Sequence, residues 1–262
     1  MIACLTPDWP DAPDNIGALA TLRGGGVSAA PYDDGRGGGG LNLGLHVGDR
    51  PAHVLQNRQL VQAVLPGPPA WLSQVHGTAV VEASALANSG ASAGAPAEAD
   101  ASFSRARGAV CAILTADCLP VLLCDARGSV VAAAHAGWRG LAAGVLGRTV
   151  AAMRAAGAGE ILAWLGPAIG AEQFEVGDEV RLAFLAAAPD AGAALAAAFV
   201  PRAGQPGKYL ADLPALARVM LRRDGVLRIA GGEFCSVSEP LRFYSYRRDR
   251  VTGRQASLIW RK

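Results

Sequence analysis

The stretch at residues 115–140, TADCLPVLLCDARGSVVAAAHAGWRG, most strongly limits what the chain can fold into. It contains two apolar runs joined by a short segment with Asp, Arg and Gly, a pattern that predicts two buried strands and a tight turn. We expect strands over residues 119–124 and 129–134. Their ends then present a cysteine, Cys118, and a histidine, His135.

A second histidine, His76, lies upstream in the sequence QVHG. Imidazole and thiolate are the ligands that zinc and copper prefer, so His76, Cys118 and His135 predict a transition-metal site. Zinc is the first choice, and copper is the alternative. Three protein ligands are typical of a catalytic zinc, which keeps a fourth position open. Two other interpretations stay open: a cysteine nucleophile with a histidine base and no metal, or a buried thiol with two hydrogen-bonded imidazoles.

Five further polar residues are candidates for catalysis or substrate binding. Arg139 follows Gly137-Trp138 where a helix is expected to begin, and a guanidinium beside free helix N–H groups predicts an anion site. Arg247 could meet the same anion, or either arginine could be a solvated surface charge. Asn42 and His46 could contact substrate or hold their own loop. Asp117 could orient a ligand, move a proton, or make a strand-end hydrogen bond.

Composition limits the class of protein. The chain has 262 residues, 51% of them hydrophobic and 18% charged, and a net charge of +2, which gives no indication of a nucleic-acid-binding face. It contains no apolar run long enough to span a bilayer, and residues 1–13 do not have the pattern of a signal peptide, so we expect no membrane association and a cytoplasmic location. Five cysteines without a disulfide-like spacing predict free thiols.

Strands and helices interleave without strict alternation, and tight turns join several strands. This pattern predicts an α+β fold with mixed sheets in one domain, residues 1–262. We expect a short strand at residues 43–47, one helix from residue 141 to near Gly157 or Gly159, and a strand at residues 241–246. Asp49 and Asp212 are expected to cap the helices that follow them. The Ala-, Ser- and Gly-rich residues 83–97 predict a surface loop or a weak helix.

The motifs together resemble the YfiH-type proteins, also called laccase-domain proteins, multicopper polyphenol oxidases or peptidoglycan editing factors. The resemblance runs almost from end to end of the chain. Its motifs lie at residues 21–31 (TLRGGGVSAAP), 42–49 (NLGLHVGD), 57–58 (NR), 74–77 (QVHG), 116–120 (ADCLP), 135–140 (HAGWRG), 166–170 (GPAIG), 174–177 (FEVG) and 245–249 (SYRRD).

The resemblance implies a layered α/β/β/α sandwich and a catalytic zinc on His76, Cys118 and His135. It also implies a purine nucleoside phosphorylase, a glycosyltransferase that cleaves adenosine, inosine or S-methyl-5'-thioadenosine with phosphate. A second, hydrolytic activity is implied, the deamination of adenosine to inosine. The expected partners are therefore a purine nucleoside and phosphate, for a protein that is a monomer or a weak oligomer.

Two other functions suggested by the family's names can be compared with the residues. The chain has only four histidines, too few to ligate the coppers of a multicopper oxidase, because imidazole is a principal copper ligand. A single copper, and hence a copper-binding polyphenol oxidase, stays an alternative. A Cys-His hydrolase or amidase that edits peptidoglycan precursors is another. A zinc-stabilised binding protein is a third, although the sequence offers no fourth ligand near the three.

Overall fold

The computed structural model describes residues 2–88 and 96–262. Within these residues the strands, in chain order, are β1 (Cys4–Leu5), β2 (Ile16–Thr21), β3 (Gly24–Ser28), β4 (Pro69–Ala70), β5 (Val80–Glu82), β6 (Ala101–Ser104), β7 (Val110–Thr115), β8 (Leu119–Asp125), β9 (Val131–Ala136), β10 (Ile161–Leu165), β11 (Glu175–Gly177), β12 (Phe199–Pro201), β13 (Lys208–Ala211), β14 (Arg228–Gly231) and β15 (Gln255–Arg261). The helices are α1 (Pro51–Gln62), α2 (Ala83–Asn88), α3 (Trp138–Ala142), α4 (Val145–Ala155), α5 (Asp178–Ala187), α6 (Gly192–Ala197), α7 (Leu213–Arg223) and α8 (Tyr246–Asp249).

The strands of the described residues, apart from β3, form two large sheets and a small one. The first large sheet has the order β1-β2-β15-β7-β4, and the second has the order β14-β10-β8-β9-β6-β5. Both combine parallel and antiparallel neighbours: β4 runs parallel to β7, for example, whereas β15 runs antiparallel to it. The small sheet, β11-β13-β12, is antiparallel. We call the two large sheets the five-stranded and the six-stranded sheet.

The two large sheets pack face to face, with a helical layer outside each. Side chains such as Ile113, Leu122 and Trp164 fill the space between the sheets. Because successive strand residues point to opposite faces, Val121 and Leu123 of β8 instead join the core under α4, α5 and α7. On the far side, Val61 of α1 covers the five-stranded sheet together with Leu41 and Leu43 of the preceding loop. The predicted α+β class and the layered α/β/β/α arrangement are therefore confirmed.

The predicted strand pair around the cysteine and histidine is present. β8 and β9 are antiparallel and fully buried, and their register sets Leu119 opposite Ala136 and Pro120 opposite His135. Cys118 directly precedes β8, so the pairing brings it to the same end of the two strands as His135. β7 belongs to the five-stranded sheet, so the short link from β7 to β8 crosses from one sheet to the other.

Four local predictions need correction. Residues 43–47 form a turn rather than a strand, because Asn42 and the backbone of Arg254 hold the hydrogen bonds of Leu43 and Gly44. The predicted helix from residue 141 divides into α3 and α4 at Gly144, whose φ is 93°.

The other two corrections also concern helix and strand ends. The predicted strand at residues 241–246 is instead a loop leading into α8, whose N-cap is Ser245. Asp49 does not cap α1; its Oδ2 accepts hydrogen bonds from Ser28 and Asn42. Asp212 does cap α7, accepting from the N–H of Ala215 at 2.8 Å.

Three further expectations concern residues 83–97, membrane-spanning helices and the domain bounds. Of the predicted loop or weak helix at residues 83–97, the structure contains α2, and residues 89–95 lie outside the described residues. No single described helix is long and apolar enough to cross a bilayer; α5 and the segment Pro189–Ala197 reach that length only as a pair bent by 108°. The domain bounds of 1–262 stay a prediction.

Asp125 closes the turn between β8 and β9. Its carboxylate accepts hydrogen bonds from the backbone N–H of Val130 at 2.8 Å and the hydroxyl of Ser129 at 2.8 Å. Burial by itself raises the pKa of Asp125, but these hydrogen bonds outweigh it and hold the pKa below the usual range. Since the folded pKa is depressed, the stabilisation is present above the unfolded pKa and disappears as the pH falls through the folded pKa.

We therefore expect Asp125→Asn to lower the free energy of unfolding by about 1–3 kcal/mol at pH 7, because a buried acceptor is lost. The difference from the parent should shrink below about pH 4, near the unfolded pKa of aspartate. Urea unfolding across this pH range measures it, with the exposed Asp8→Asn as the control. Equal stability of parent and Asp125→Asn at pH 7 would contradict the prediction.

Candidate metal centre and the cleft around it

The structure brings together His76, Cys118 and His135. One nitrogen of each imidazole and the Sγ of Cys118 all lie within 4.8 Å of one another. The Sγ of Cys118 is 3.7 Å from the Nε2 of His76, and the two imidazole centroids are 4.7 Å apart. His135 is buried, whereas His76 is exposed to the cleft. Among the described residues this group has three members, which fits a metal that keeps one position open.

Gly137 leaves the space that this group occupies. A Cβ at position 137 would lie 3.0 Å from the Sγ of Cys118 and 3.0 Å from the Cδ2 of His76. A side chain there would therefore press on two of the three donors. Two imidazole nitrogens and one thiolate are donors suited to zinc or copper, and the residues present fit such an ion.

Asp100 holds both histidines in place. Its buried carboxylate pairs with the Nδ1 of His135 at 2.8 Å and accepts the backbone N–H of His76 at 2.9 Å and of Gly77 at 2.7 Å. It also accepts the N–H of Val75 at 3.2 Å. Since Nδ1 of His135 donates to the carboxylate, Nε2 is left free to face the cluster. These bonds also hold His76 at a φ of 62°, a region that non-glycine residues seldom adopt.

Sequence reasoning missed Asp100. The only signal available was an acidic residue directly before the apolar strand β6, at the end of a stretch with weak patterning. Position alone does not tell a buried carboxylate from a surface one, because the partners of Asp100 lie 23 to 35 residues away in sequence.

The charged forms of Cys118 and His135 stabilise each other. Burial by itself raises the pKa of the Cys118 thiol, but His135 and His76 outweigh it and lower the pKa to about 6. Burial likewise lowers the pKa of His135, but Cys118 and Asp100 raise it to about 9. The thiolate, which is the form that binds a metal, is therefore favoured.

Asp117 lies beside Cys118 in the link between the two sheets, with a φ of 94°. Its carboxylate accepts hydrogen bonds from the hydroxyl of Ser236 and the backbone N–H of Arg247, both at 2.6 Å. Its carbonyl accepts the N–H of Ile169 at 2.9 Å. These contacts fix the backbone that precedes Cys118, whereas a catalytic role for Asp117 stays a prediction.

A cleft of about 650 Å³ opens over the three donors. Three residues predicted to bind substrate, His46, Arg139 and Arg247, line it. The full lining consists of His46, Leu72, Ser73, Gln74, His76, Leu114, Thr115, Ala116, Asp117, Cys118, His135, Trp138, Arg139, Ile169, Phe174, Leu213, Tyr246, Arg247 and Arg254.

Asn42, also predicted to bind substrate, does not line this cleft. Its side chain is fully buried. The amide oxygen accepts the N–H of Gly44 at 3.0 Å and of Arg254 at 2.9 Å, and the amide nitrogen donates to Asp49 at 2.9 Å. Of the two roles considered for Asn42, the structure therefore favours holding its loop.

The sequence did not identify Arg254 as a residue of the site, just as it did not identify Asp100. It lines the cleft between the loop of His46 and the metal ligands, yet it lies outside every motif singled out above. Its only sequence signal is a basic residue just before the last strand. Long-range packing decides its position, because its backbone pairs with residues more than 200 positions earlier.

The chain is similar to known proteins over nearly its whole length. Residues 17–262 match the family model described as multi-copper polyphenol oxidoreductase laccase. Purine nucleoside phosphorylase PA4543 of Pseudomonas aeruginosa is 52% identical over 260 residues, covering 99% of both chains. Purine nucleoside phosphorylase YfiH of Escherichia coli is 50% identical over 262 residues, with 99% of both chains covered. The crystal structure of Neisseria meningitidis protein NMB0706 has a TM-score of 0.86 and 48% identity over 99% of both chains.

We expect Asp100→Asn to weaken zinc binding by about 10- to 100-fold, as loss of an outer-shell partner typically does. Both carboxylate oxygens accept N–H groups, so an asparagine would turn its NH₂ toward a donor in either orientation. Competition with a chromogenic chelator measures the affinity. Glu98→Gln, two residues away and exposed, is the control. Parent-like affinity of Asp100→Asn would show that Asp100 does not support the metal ligands.

Proposed function

Because the chain belongs to the family described as multi-copper polyphenol oxidoreductase laccase, and its relatives include named purine nucleoside phosphorylases, we propose that it is a zinc-dependent purine nucleoside phosphorylase. A phosphate oxygen forms a bond to C1' of the nucleoside while the bond from C1' to the purine nitrogen breaks. The electron pair leaves with the base, which takes up a proton, and the sugar leaves as its 1-phosphate. The proposed substrates are adenosine, inosine and S-methyl-5'-thioadenosine.

The observation that carries this proposal is the position of His76, Cys118 and His135 in the wall of a cleft that is lined by both apolar and cationic side chains. A volume of about 650 Å³ suits a nucleoside with phosphate. Trp138, Phe174 and Tyr246 offer aromatic surfaces to a purine, whereas arginines offer N–H groups to phosphate. This mixture fits a neutral planar base and an anionic co-substrate.

His76, Cys118 and His135 would hold the zinc. Zinc would supply a Lewis acid and an open position beside the substrate. Copper is the alternative, since these donors also bind it and it generally binds more tightly. Asp100 orients the two histidines, and Asp117 fixes the backbone of Cys118. An arginine of the cleft binds and orients phosphate, which lowers the barrier by positioning it against C1'.

The same cleft is proposed to deaminate adenosine. Water adds at C6 of the purine, and the amino group leaves as ammonia to give inosine. This activity requires the metal ligands but not phosphate, so the two reactions can be separated by their co-substrates. A cytoplasmic location and a monomeric or weakly associated state complete the proposal.

One observation favours a second candidate. The Sγ of Cys118 lies 3.7 Å from the Nε2 of His76, and the pKa of its thiol is lowered to about 6. This is the arrangement of a cysteine nucleophile with a histidine partner, which would cleave amides such as those of peptidoglycan precursors. Such an enzyme would work without metal and would be inactivated by thiol alkylation of the metal-free protein.

The two candidates predict different products. With metal-quantified, zinc-loaded protein, adenosine should yield adenine and ribose 1-phosphate only when phosphate is present. Cys118→Ala should reduce this rate by more than about 100-fold, because loss of an outer-shell partner alone reduces activity 10- to 100-fold. Chromatography of the products measures it. Cys4→Ala, which removes a half-buried thiol of β1 outside the group, should retain the parent rate.

Inosine formed equally with and without phosphate would support the deaminase. Absence of any purine product from zinc-loaded protein would refute the nucleoside proposal. Amide cleavage by the metal-free protein would then favour the cysteine hydrolase.

A further inference from the structure

Three arginines line the cleft, and their surroundings differ. Arg139 is exposed, and its guanidinium carbon lies 4.5 Å from the centroid of the Trp138 ring. The guanidinium of Arg247 lies 5.5 Å from the Phe174 ring and donates to the carbonyl of Glu175 at 3.1 Å. Both therefore border aromatic side chains that pack in or against the core of the helical layer.

Arg254 is instead fixed against the loop that contains Asn42 and Leu43. Its backbone N–H donates to the side chain of Asn42 at 2.9 Å, and its carbonyl accepts the N–H of Leu43 at 3.1 Å. One terminal nitrogen of the guanidinium donates to the carbonyls of Thr252 at 3.2 Å and Gly253 at 2.9 Å. Nε and the other terminal nitrogen have no partner among the described residues. They form a fork of the kind that binds two oxygens of a phosphate.

Arg254 is also a half-buried cation without a counter-ion. None of the ion pairs among the described residues includes it. Burial lowers its pKa, although the charges of Cys118 and Asp117 oppose the shift. Desolvating a charge that has no salt-bridge partner costs free energy, and a bound anion would offset that cost. An anion in the cleft would supply that partner.

Two further residues belong to this side of the cleft. A Cβ at Gly44 would lie 2.8 Å from the Cγ of Arg254, so a glycine at position 44 is needed for the arginine to approach the loop. His46, two residues later, lines the cleft. Burial and the charges of Arg254 and Arg58 lower the pKa of His46, which favours its neutral form.

The two walls of the cleft therefore differ in chemistry. The wall nearest the helical layer carries Trp138, Ile169, Phe174 and Leu213, all of which pack in or against the core of that layer. The guanidinium groups of Arg139 and Arg247 in this wall already lie against the Trp138 and Phe174 rings. The wall on the side of the five-stranded sheet carries His46 and Arg254. The metal ligands lie between them.

We propose that Arg254, with His46 beside it, forms the phosphate subsite. The opposite wall, with its aromatic and apolar side chains, receives the purine. This inference rests on the proposed phosphorylase function. It assigns phosphate to Arg254 rather than to Arg139 or Arg247, and it gives Asn42 and Gly44 the role of positioning Arg254. The reacting C1' then lies between the two walls, beside the metal ligands.

Kinetics with each substrate varied separately test the assignment. Arg254→Gln should raise KM for phosphate by about 10- to 100-fold, the range expected for loss of a charge-assisted hydrogen bond. KM for the nucleoside should change by less than about 2-fold, because that substrate contacts the other wall. Arg254→Lys, which keeps the charge but loses the fork, should raise KM for phosphate by a smaller factor.

Gly44→Ala supplies a variant that retains Arg254. It should also raise KM for phosphate with little effect on KM for the nucleoside, because it displaces the stem of Arg254. Arg148→Gln is the charge control: Arg148 is exposed on α4 and should leave both constants unchanged. Equal effects of Arg254→Gln on both KM values, or a rise in KM for phosphate in Arg139→Gln or Arg247→Gln but not in Arg254→Gln, would overturn the assignment.

Calorimetric titration with inorganic phosphate, without nucleoside, separates this inference from the proposed function. Zinc-loaded parent protein should bind phosphate, and Arg254→Gln should bind it at least about 10-fold more weakly. Phosphate binding that depends on Arg254, in a protein that cleaves no nucleoside, would retain the anion subsite and refute the phosphorylase. Phosphorolysis with undiminished phosphate binding by Arg254→Gln would refute the subsite and retain the phosphorylase.

Discussion

The carboxylate of Asp100 is the interaction on which the rest of the site depends. A single buried side chain orients the imidazole of His135 and fixes the backbone on both sides of His76. The two histidines come from separate parts of the chain, so neither turn chemistry nor strand pairing alone would align them. Because the carboxylate is buried, its hydrogen bonds are not weakened by competing water. Loss of one of these bonds leaves a buried N–H group unpaired. The positions of the two histidine ligands follow from this one group, whereas Asp117 and the pairing of β8 with β9 place Cys118.

The cleft exists because the chain passes from one sheet to the other at the metal ligands. The link between β7 and β8 carries Asp117 and Cys118, and Asp117 holds that link in a left-handed conformation through bonds to Ser236 and Arg247. Gln74 attaches the loop of His76 to β7 by two hydrogen bonds with Leu114, both 2.8 Å. Consequently the donors lie between two layers of different composition. The helical layer contributes apolar and aromatic side chains together with Arg139 and Arg247, whereas the other side contributes Arg254 and His46.

The laccase description of the family and the donor set of this chain point to different chemistry. A multicopper oxidase needs several copper centres, whereas the described residues contain one group of three donors and the whole sequence has four histidines. One such group beside an apolar wall and a set of arginines is better suited to polarising a substrate and positioning an anion than to electron transfer between metals. The proposed phosphorylase uses each of these features.

The sequence by itself determined the strands β8 and β9, the Asp212 cap of α7 and the three candidate ligands. These depend on local signals: apolar runs, turn residues, and donor types at strand ends. Only the tertiary structure decided the roles of Asp100, Asn42 and Arg254, and it also replaced the predicted strand at residues 43–47 with a turn. In each case the deciding hydrogen bonds join residues far apart in sequence, up to 212 positions between Asn42 and Arg254. Local pattern contains no information about such partners, because they meet only when distant segments of the chain have folded together.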